Sequence, residues 1–464
     1  EGSMMRYIST RGTAPILTFG QAMMTGLARD GGLYVPQAVP QFSTADFAAL
    51  AGKSYEEIAY GVMKPFMGDT FPDDEFRGLI AKAYAGFGHP ARAPLKQFAP
   101  NHFLLELFHG PTLAFKDFAM QLIGQMMQAS LAKTGERITI VGATSGDTGS
   151  AAIEAFRGLA NVDVFILFPH GRVSDVQRRQ MTTPVESNVH ALAIEGSFDD
   201  AQARVKDMFN DFAFRDGVRL AGVNSINWAR VMAQVVYYVE ATRRLGGPID
   251  VTVPTGNFGN VLSGWIAKQM GAPLRRLIVA SNDNDILTRF FNSHTMDVTG
   301  VHPTLSPSMD IQVSSNFERL LFEMNNRDGA VTAAQLSRFR DKGKLVVEPD
   351  QFDQWITPTF AAGRASDHDT LSAIRSVYEN TGMLIDPHTA VGVKVAREFA
   401  EDGVPMLTMA TAHPAKFPDA VERATGERPA LPEHLADLLD RPEHTTHLPN
   451  DLAAVEAFVA SHNG

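Results

Sequence analysis

The chain has 464 residues, 44% hydrophobic and 20% charged, with a formal net charge of −11 and no cysteine. That is the profile of a globular protein with room for two or three domains, and it excludes disulfides, thiol nucleophiles and cysteine-ligated zinc or iron–sulfur centres. An acidic balance without a basic stripe argues against nucleic acid, and no apolar run reaches the ~20 residues that span a bilayer.

Residues 1–3, ahead of Met4, read as a tag remnant. No secretory leader is visible, so a cytoplasmic protein is expected. After an extended start at 5–9, the first 95 residues read as helices and turns. The better helical patterns lie at 55–67 and 73–85, and Pro90 and Pro94 punctuate the exit. From about residue 100 strands and helices alternate. Strands are expected at 103–107, 137–141, 162–168, 189–194, 249–253, 277–281 and 406–409. Helices are expected at 118–127, 150–156, 173–181, 199–212, 261–270 and 286–291, with a long amphipathic one at 228–245. Such alternation implies an α/β fold with mainly parallel sheets flanked by helices, and these sheets bind ligands beyond the carboxyl ends of their strands. Residues 331–380 read as a helical insertion. The tail after Pro429 is acidic and proline-punctuated, an extension.

Five segments could carry chemistry. Lys116 lies in His109-Gly110-Pro111-Thr112-Leu113-Ala114-Phe115-Lys116-Asp117, with mostly small or apolar residues before it and a helical run after it. A lysine held dry at a helix start has a depressed pKa and becomes a nucleophilic amine; the alternative is a lysine snorkelling from a loop. Gly142-Ala143-Thr144-Ser145-Gly146-Asp147-Thr148-Gly149 follows a strand and opens a helix. It is an anion-binding turn or a merely capped connection, and lacks the lysine of a Walker loop. Pro254-Thr255-Gly256-Asn257-Phe258-Gly259-Asn260 has the same position and no basic residue, which makes it a neutral nest for a phosphate or a capped turn. Asn224-Ser225-Ile226-Asn227-Trp228-Ala229-Arg230 starts the long helix. There Arg230 could clamp a phosphate or simply be solvated. Thr411 offers a neutral hydroxyl at a strand end, and the nearby His413 and Lys416 read as surface groups. No metal-ligand spacing is present.

An aldehyde for the lysine, a phosphate for the nest and a ring nitrogen for the hydroxyl describe one cofactor, pyridoxal phosphate. On these motifs the chain resembles the threonine synthase family of fold-type-II pyridoxal-phosphate enzymes, related to the tryptophan synthase β fold. The resemblance starts at Tyr7-Ile8-Ser9-Thr10-Arg11-Gly12. It takes in Asp30-Gly31-Gly32-Leu33-Tyr34-Val35-Pro36 and Pro307-Ser308-Met309-Asp310-Ile311, and ends at about Phe417. The long N-terminal region is similar to the yeast and enterobacterial branch.

The resemblance implies a domain plan: an N-terminal region at 1–95, a smaller α/β unit at 96–225, a larger one at 226–430 and an extension at 431–464. It implies that Lys116 forms a Schiff base with the cofactor, that Gly256, Asn257, Phe258, Gly259 and Asn260 hold its phosphate, and that Thr411 meets its ring nitrogen. Ser145, Gly146, Asp147 and Thr148 would bind the substrate carboxylate, and Asn224 and Arg230 the substrate phosphate. The related superfamily often has asparagine where Asp147 stands. An acid beside a substrate carboxylate is unfavourable, so Asp147 is expected to point away and cap its helix. The implied reaction is lyase chemistry, O-phospho-L-homoserine and water to L-threonine and phosphate, by a monomer or homodimer with no metal. The alternative is a phospholyase releasing a 2-oxo acid.

Overall fold

A computed structural model describes residues 4–464; residues 1–3, read above as a tag remnant, lie outside them. In chain order the strands are β1 (Arg6–Ser9), β2 (Leu17–Thr18), β3 (Tyr34–Pro36), β4 (Leu95–Ala99), β5 (His102–Glu106), β6 (Ile138–Ala143), β7 (Val162–Pro169) and β8 (Val189–Ile194). They continue with β9 (Leu220–Ala221), β10 (Ile249–Pro254), β11 (Leu274–Ser281), β12 (Thr295–Asp297), β13 (Lys344–Val346), β14 (Phe360–Arg364), β15 (Met406–Ala410) and β16 (Thr446–Leu448).

Two sheets organise the molecule. The larger has the order β14-β11-β10-β15-β5-β4 and is parallel except for β4. The smaller, β16-β8-β7-β6-β9, is wholly parallel. β6, β7 and β10 are buried at every position, as strands covered on both faces must be. The helices begin where a side chain can accept a free N–H: Ser43, Ser197 and Ser366 each form a capping box.

The α/β expectation holds, with four corrections. First, β5 and all of β4 but Leu95 fall inside the span expected for the smaller unit yet belong to the larger sheet. β5 pairs with β15, Leu104 against Thr408, and strand periodicity does not reveal a partner so far away in the chain. Second, the insertion expected at 331–380 is not purely helical, because β14 is the larger sheet's edge strand beside β11. Third, the tail is part of the smaller unit. β16 pairs with β8, and the helix Leu452–His462 lays Val455 and Val459 into a core with Phe165 and Leu192. Fourth, the helix Trp228–Leu245 is buried all round from Trp228 to Thr242 rather than along one stripe. The helix Tyr55–Met67 covers the side that a two-sided reading leaves to water. The N-terminal region adds the antiparallel sheet β2-β1-β3 to its helices. No helix among the described residues is long and apolar enough to cross a membrane.

Candidate active site

Lys116 stands at the N-cap of the helix Asp117–Thr134. The loop before it is tied to the segment after β15. Phe115 N donates to Thr411 O (2.9 Å), His413 N to Leu113 O (2.9 Å), and Ala114 bridges Ala412. Leu113 has φ 68°, a conformation a non-glycine residue keeps only when its surroundings impose it. Gly110 is required by close approach, since a Cβ there would lie 2.4 Å from Asp117 Cβ. The Asp117 carboxylate accepts from Thr112 N (2.9 Å) and Thr112 Oγ1 (2.6 Å). Burial nevertheless pushes it up to about 6.

The Lys116 side chain is 11% exposed. Burial, opposed by Asp147 and aided by Arg230 and Lys416, lowers its pKa to about 8. It is thus the dry lysine at a helix start, and the snorkelling alternative is gone.

Asp147 overturns its expectation. The N-cap of its helix is Gly146, with no side-chain cap, and the Asp147 carboxylate faces the site. Oδ1 lies 2.7 Å from Lys416 Nζ and accepts from Gln177 Nε2 at 3.0 Å. Oδ2 accepts from Ser308 Oγ at 3.2 Å and lies 3.8 Å from Lys116 Nζ. Burial alone would raise this carboxyl, but Lys416, Lys116 and His388 together hold it far below the usual range. Lys416, expected at the surface, is 0% exposed. His413 is also largely buried; burial lowers it to about 4, and its Nδ1 accepts from Ala415 N, so the ring is neutral.

The segment 307–309 closes this side. Ser308 N donates to His388 Nε2 (3.2 Å), whose Nδ1 pairs with Asp386 Oδ2 (2.7 Å). Sequence reasoning missed Lys416, Gln177, His388 and Asp386. For Lys416 a signal existed: a lysine among alanine, proline and phenylalanine just past a buried strand.

Around the loop at 145–148, Thr144 Oγ1 accepts from Gly146 N and Gly149 N. Ser145 and Thr148 are half-buried. The loop after β10 has Phe258 at φ 71°. Among the described residues, the N–H groups of Gly256, Asn257, Phe258, Gly259 and Asn260 find no protein acceptor. They cluster at the start of the helix Gly259–Met270, where the helix dipole favours an anion. The Asn260 side chain points elsewhere, accepting from Tyr237 and Tyr238 hydroxyls at 2.8 and 2.9 Å. Its Nδ2 is buried without a partner.

Arg230 is 1% exposed, so the solvated alternative fails. Nη1 donates to Val223 O (2.9 Å), while Nε and the nearby Asn224 Oδ1 are buried without partners. Asn284 and Asp285, ahead of the helix Ile286–Ser293, are structural. Asn284 Nδ2 binds His302 O, and Asp285 pairs with Arg289 and Arg364.

Two further residues lock the loops together. Asn316 N donates to Asn257 O (2.9 Å) and Asn316 Nδ2 to Ser225 O (2.8 Å). Arg319, fully buried, donates to Tyr34 O, Ile226 O and Asn316 Oδ1. One arginine thereby joins the N-terminal region, the Asn224 segment and, through Asn316, the loop after β10.

A buried amine, a five-donor nest at a helix start and a strand-end hydroxyl suit pyridoxal phosphate, and the unpartnered Nε of Arg230 leaves a donor for a second anion. Residues 91–338 match the family profile described as pyridoxal-phosphate dependent enzyme, so the class is that of pyridoxal-phosphate enzymes. Residues 6–84 match the profile for the threonine synthase N terminus, and residues 389–459 that for the threonine synthase C-terminal region.

A threonine synthase of Pseudomonas aeruginosa is 53% identical over 463 residues, covering 99% of this chain and 98% of that protein. One of Saccharomyces cerevisiae is 39% identical over 477 residues, 93% of each. The crystal structure of a PLP-bound threonine synthase from Brucella melitensis matches with TM-score 0.94 at 55% identity, covering 99% of both chains. The yeast enzyme's structure matches at 0.93 and 36% identity, covering 100% of this chain and 99% of that one. The chain belongs to the threonine synthase family, pyridoxal-phosphate-dependent lyases of the fold the resemblance implied. A tomato threonine deaminase, 13% identical at TM-score 0.51, shares the fold alone.

Proposed function

We propose that this chain converts O-phospho-L-homoserine and water into L-threonine and phosphate, as a cytoplasmic enzyme acting as monomer or homodimer. The observation that carries the reading is Lys116, a buried amine lowered to about 8 with Arg230 among the charges acting on it, in a chain whose loop after β10 keeps five N–H groups free of protein acceptors and whose Arg230 Nε is unpartnered. Lys116 would hold the cofactor, the backbone at Gly256, Asn257, Phe258, Gly259 and Asn260 its phosphate, and Thr411 Oγ1 its ring nitrogen. When bound, the cofactor supplies an electron sink for charge developing on the substrate carbons.

The chain's own groups do the rest. Lys116 Nζ, near neutrality in pKa, takes a proton from the substrate and returns it, as a general base and acid must. Ser145, Gly146, Asp147 and Thr148 would hold the substrate carboxylate. Asn224 and Arg230 would take the substrate phosphate and stabilise its charge as it leaves. The two sheets would close around the substrate to exclude bulk water.

Incubation of the cofactor-loaded protein with O-phospho-L-homoserine should release threonine and phosphate in equal amounts. Appearance of 2-oxobutyrate without threonine would reject this reading in favour of a phospholyase. Arg230→Ala should raise KM at least tenfold, because it removes a charge-assisted contact of about 1.5–3 kcal/mol; an unchanged KM removes Arg230 from the phosphate site.

A further inference from the structure

Lys416 has a role that no motif gave it. Its ammonium is 0% exposed, lies 2.7 Å from Asp147 Oδ1 and finds no second acceptor. A buried ammonium is stable only with a partner, so Lys416 and Asp147 hold each other in place. With Oδ1 anchored there and on Gln177 Nε2, Asp147 Oδ2 is turned to Ser308 Oγ and Lys116 Nζ. The carboxylate stands between two lysines that come from loops 300 residues apart. This resolves the difficulty of an acid in a loop assigned to a substrate carboxylate, since Lys416 neutralises it.

We propose that Lys416 is a positioning residue of the reaction. Its ion pair fixes Asp147 between the two lysines, sets the charge of Lys116, and lets the loop at 145–148 receive a second carboxylate. The proposal rests on the assignment of Lys116 and of that loop under Proposed function. The charged groups facing Lys116 are Asp147, Arg230 and Lys416; Asp147 is faced in turn by His388, which is paired with Asp386. Asp117 is the next residue along the chain, and Lys416 acts on it as well.

The two partners act on Lys116 with opposite sign. Asp147 favours its charged form and Lys416 opposes it. Removing Lys416 therefore raises the pKa of the Lys116 amine, and removing Asp147, 3.8 Å away, lowers it by about one unit.

The test uses full-length protein resolved from its cofactor. The rate of pyridoxal phosphate uptake is followed by absorbance against pH, since only the unprotonated amine reacts. The parent midpoint should lie near 8. Lys416→Met should move it up and Asp147→Asn should move it down. Midpoints that stay within about 0.3 units of the parent, or that move the same way, overturn the proposal.

Should Lys416→Met fail to fold, Asp147→Asn decides alone, and a midpoint that does not fall refutes the idea. In the loaded enzyme, Lys416→Met should also raise KM for O-phospho-L-homoserine, and an unchanged KM refutes the charge-neutralising role. Borohydride reduction of the loaded parent, with peptide mapping, separates the two layers. Cofactor fixed on a lysine other than Lys116 overturns the site assignment, whatever the variants do.

Discussion

Gly256→Ala tests the phosphate nest through one atom. A Cβ at Gly256 would lie 2.7 Å from the carbonyl oxygen of Ser308, about 0.7 Å inside ordinary van der Waals contact. The obstacle is backbone and cannot swing aside. Ser308 is held by His388 through its N–H and by Asp147 through its hydroxyl, and Ser314 Oγ grips Gly256 O at 2.7 Å. The loop must therefore shift as a unit, at an overpacking cost of about 1–3 kcal/mol. If half or more of that cost falls on the nest geometry, cofactor affinity drops roughly 2- to 150-fold. Titration of the resolved protein with pyridoxal phosphate measures this, with a denaturation midpoint recorded alongside. Gly78→Ala is the control. It lies on the exposed face of the helix Asp73–Tyr84 with nothing within 4 Å of an added Cβ. It should stabilise by up to about 1 kcal/mol and leave affinity unchanged. Parent-like affinity and stability in Gly256→Ala would refute the claim that Ser308 walls the nest.

Asp117→Asn should stabilise the protein above pH 6, by up to about 3 kcal/mol. The folded carboxyl titrates at about 6 instead of 3.8, so its burial penalty is fully present above pH 6 and vanishes as pH falls through 4. Urea midpoints at pH 4 and 7.5 measure the gap, and a gap that does not narrow on acidification contradicts the assignment. Arg319→Met should cost about 3 kcal/mol or more, because it strands the carbonyls of Tyr34 and Ile226 and the Asn316 side chain in the interior; a loss under about 1 kcal/mol would show that the clasp is dispensable.

Local chemistry made some of this legible. The Lys116 loop, the glycine turns after β6 and β10 and the Thr411 strand end all follow from residues adjacent in the chain, and the structure places them where alternation of strands and helices implied. β14 was missed because Phe360-Ala361-Ala362-Gly363-Arg364 carries almost no β-branched or alternating pattern. Its strand state comes from pairing with the already buried β11. The tail was read as an appendage because acidic, proline-punctuated composition conceals the two valines that complete the smaller core.

Asp147 shows where sequence reasoning stops. From the sequence alone, a carboxylate in a carboxylate-binding loop is a conflict, and pointing it outward is the sound resolution. Tertiary structure supplies Lys416 from across the molecule and reverses that answer. What the sequence determined was the lysine at a dry helix start, the kind of cofactor its family uses and the parallel-sheet frame, all consequences of short-range order. What only the fold decided was the charge balance around that amine and the clasp of Asn316 and Arg319, because electrostatic partners and hydrogen-bond acceptors are chosen by distance in space, and separation along the chain carries no trace of it.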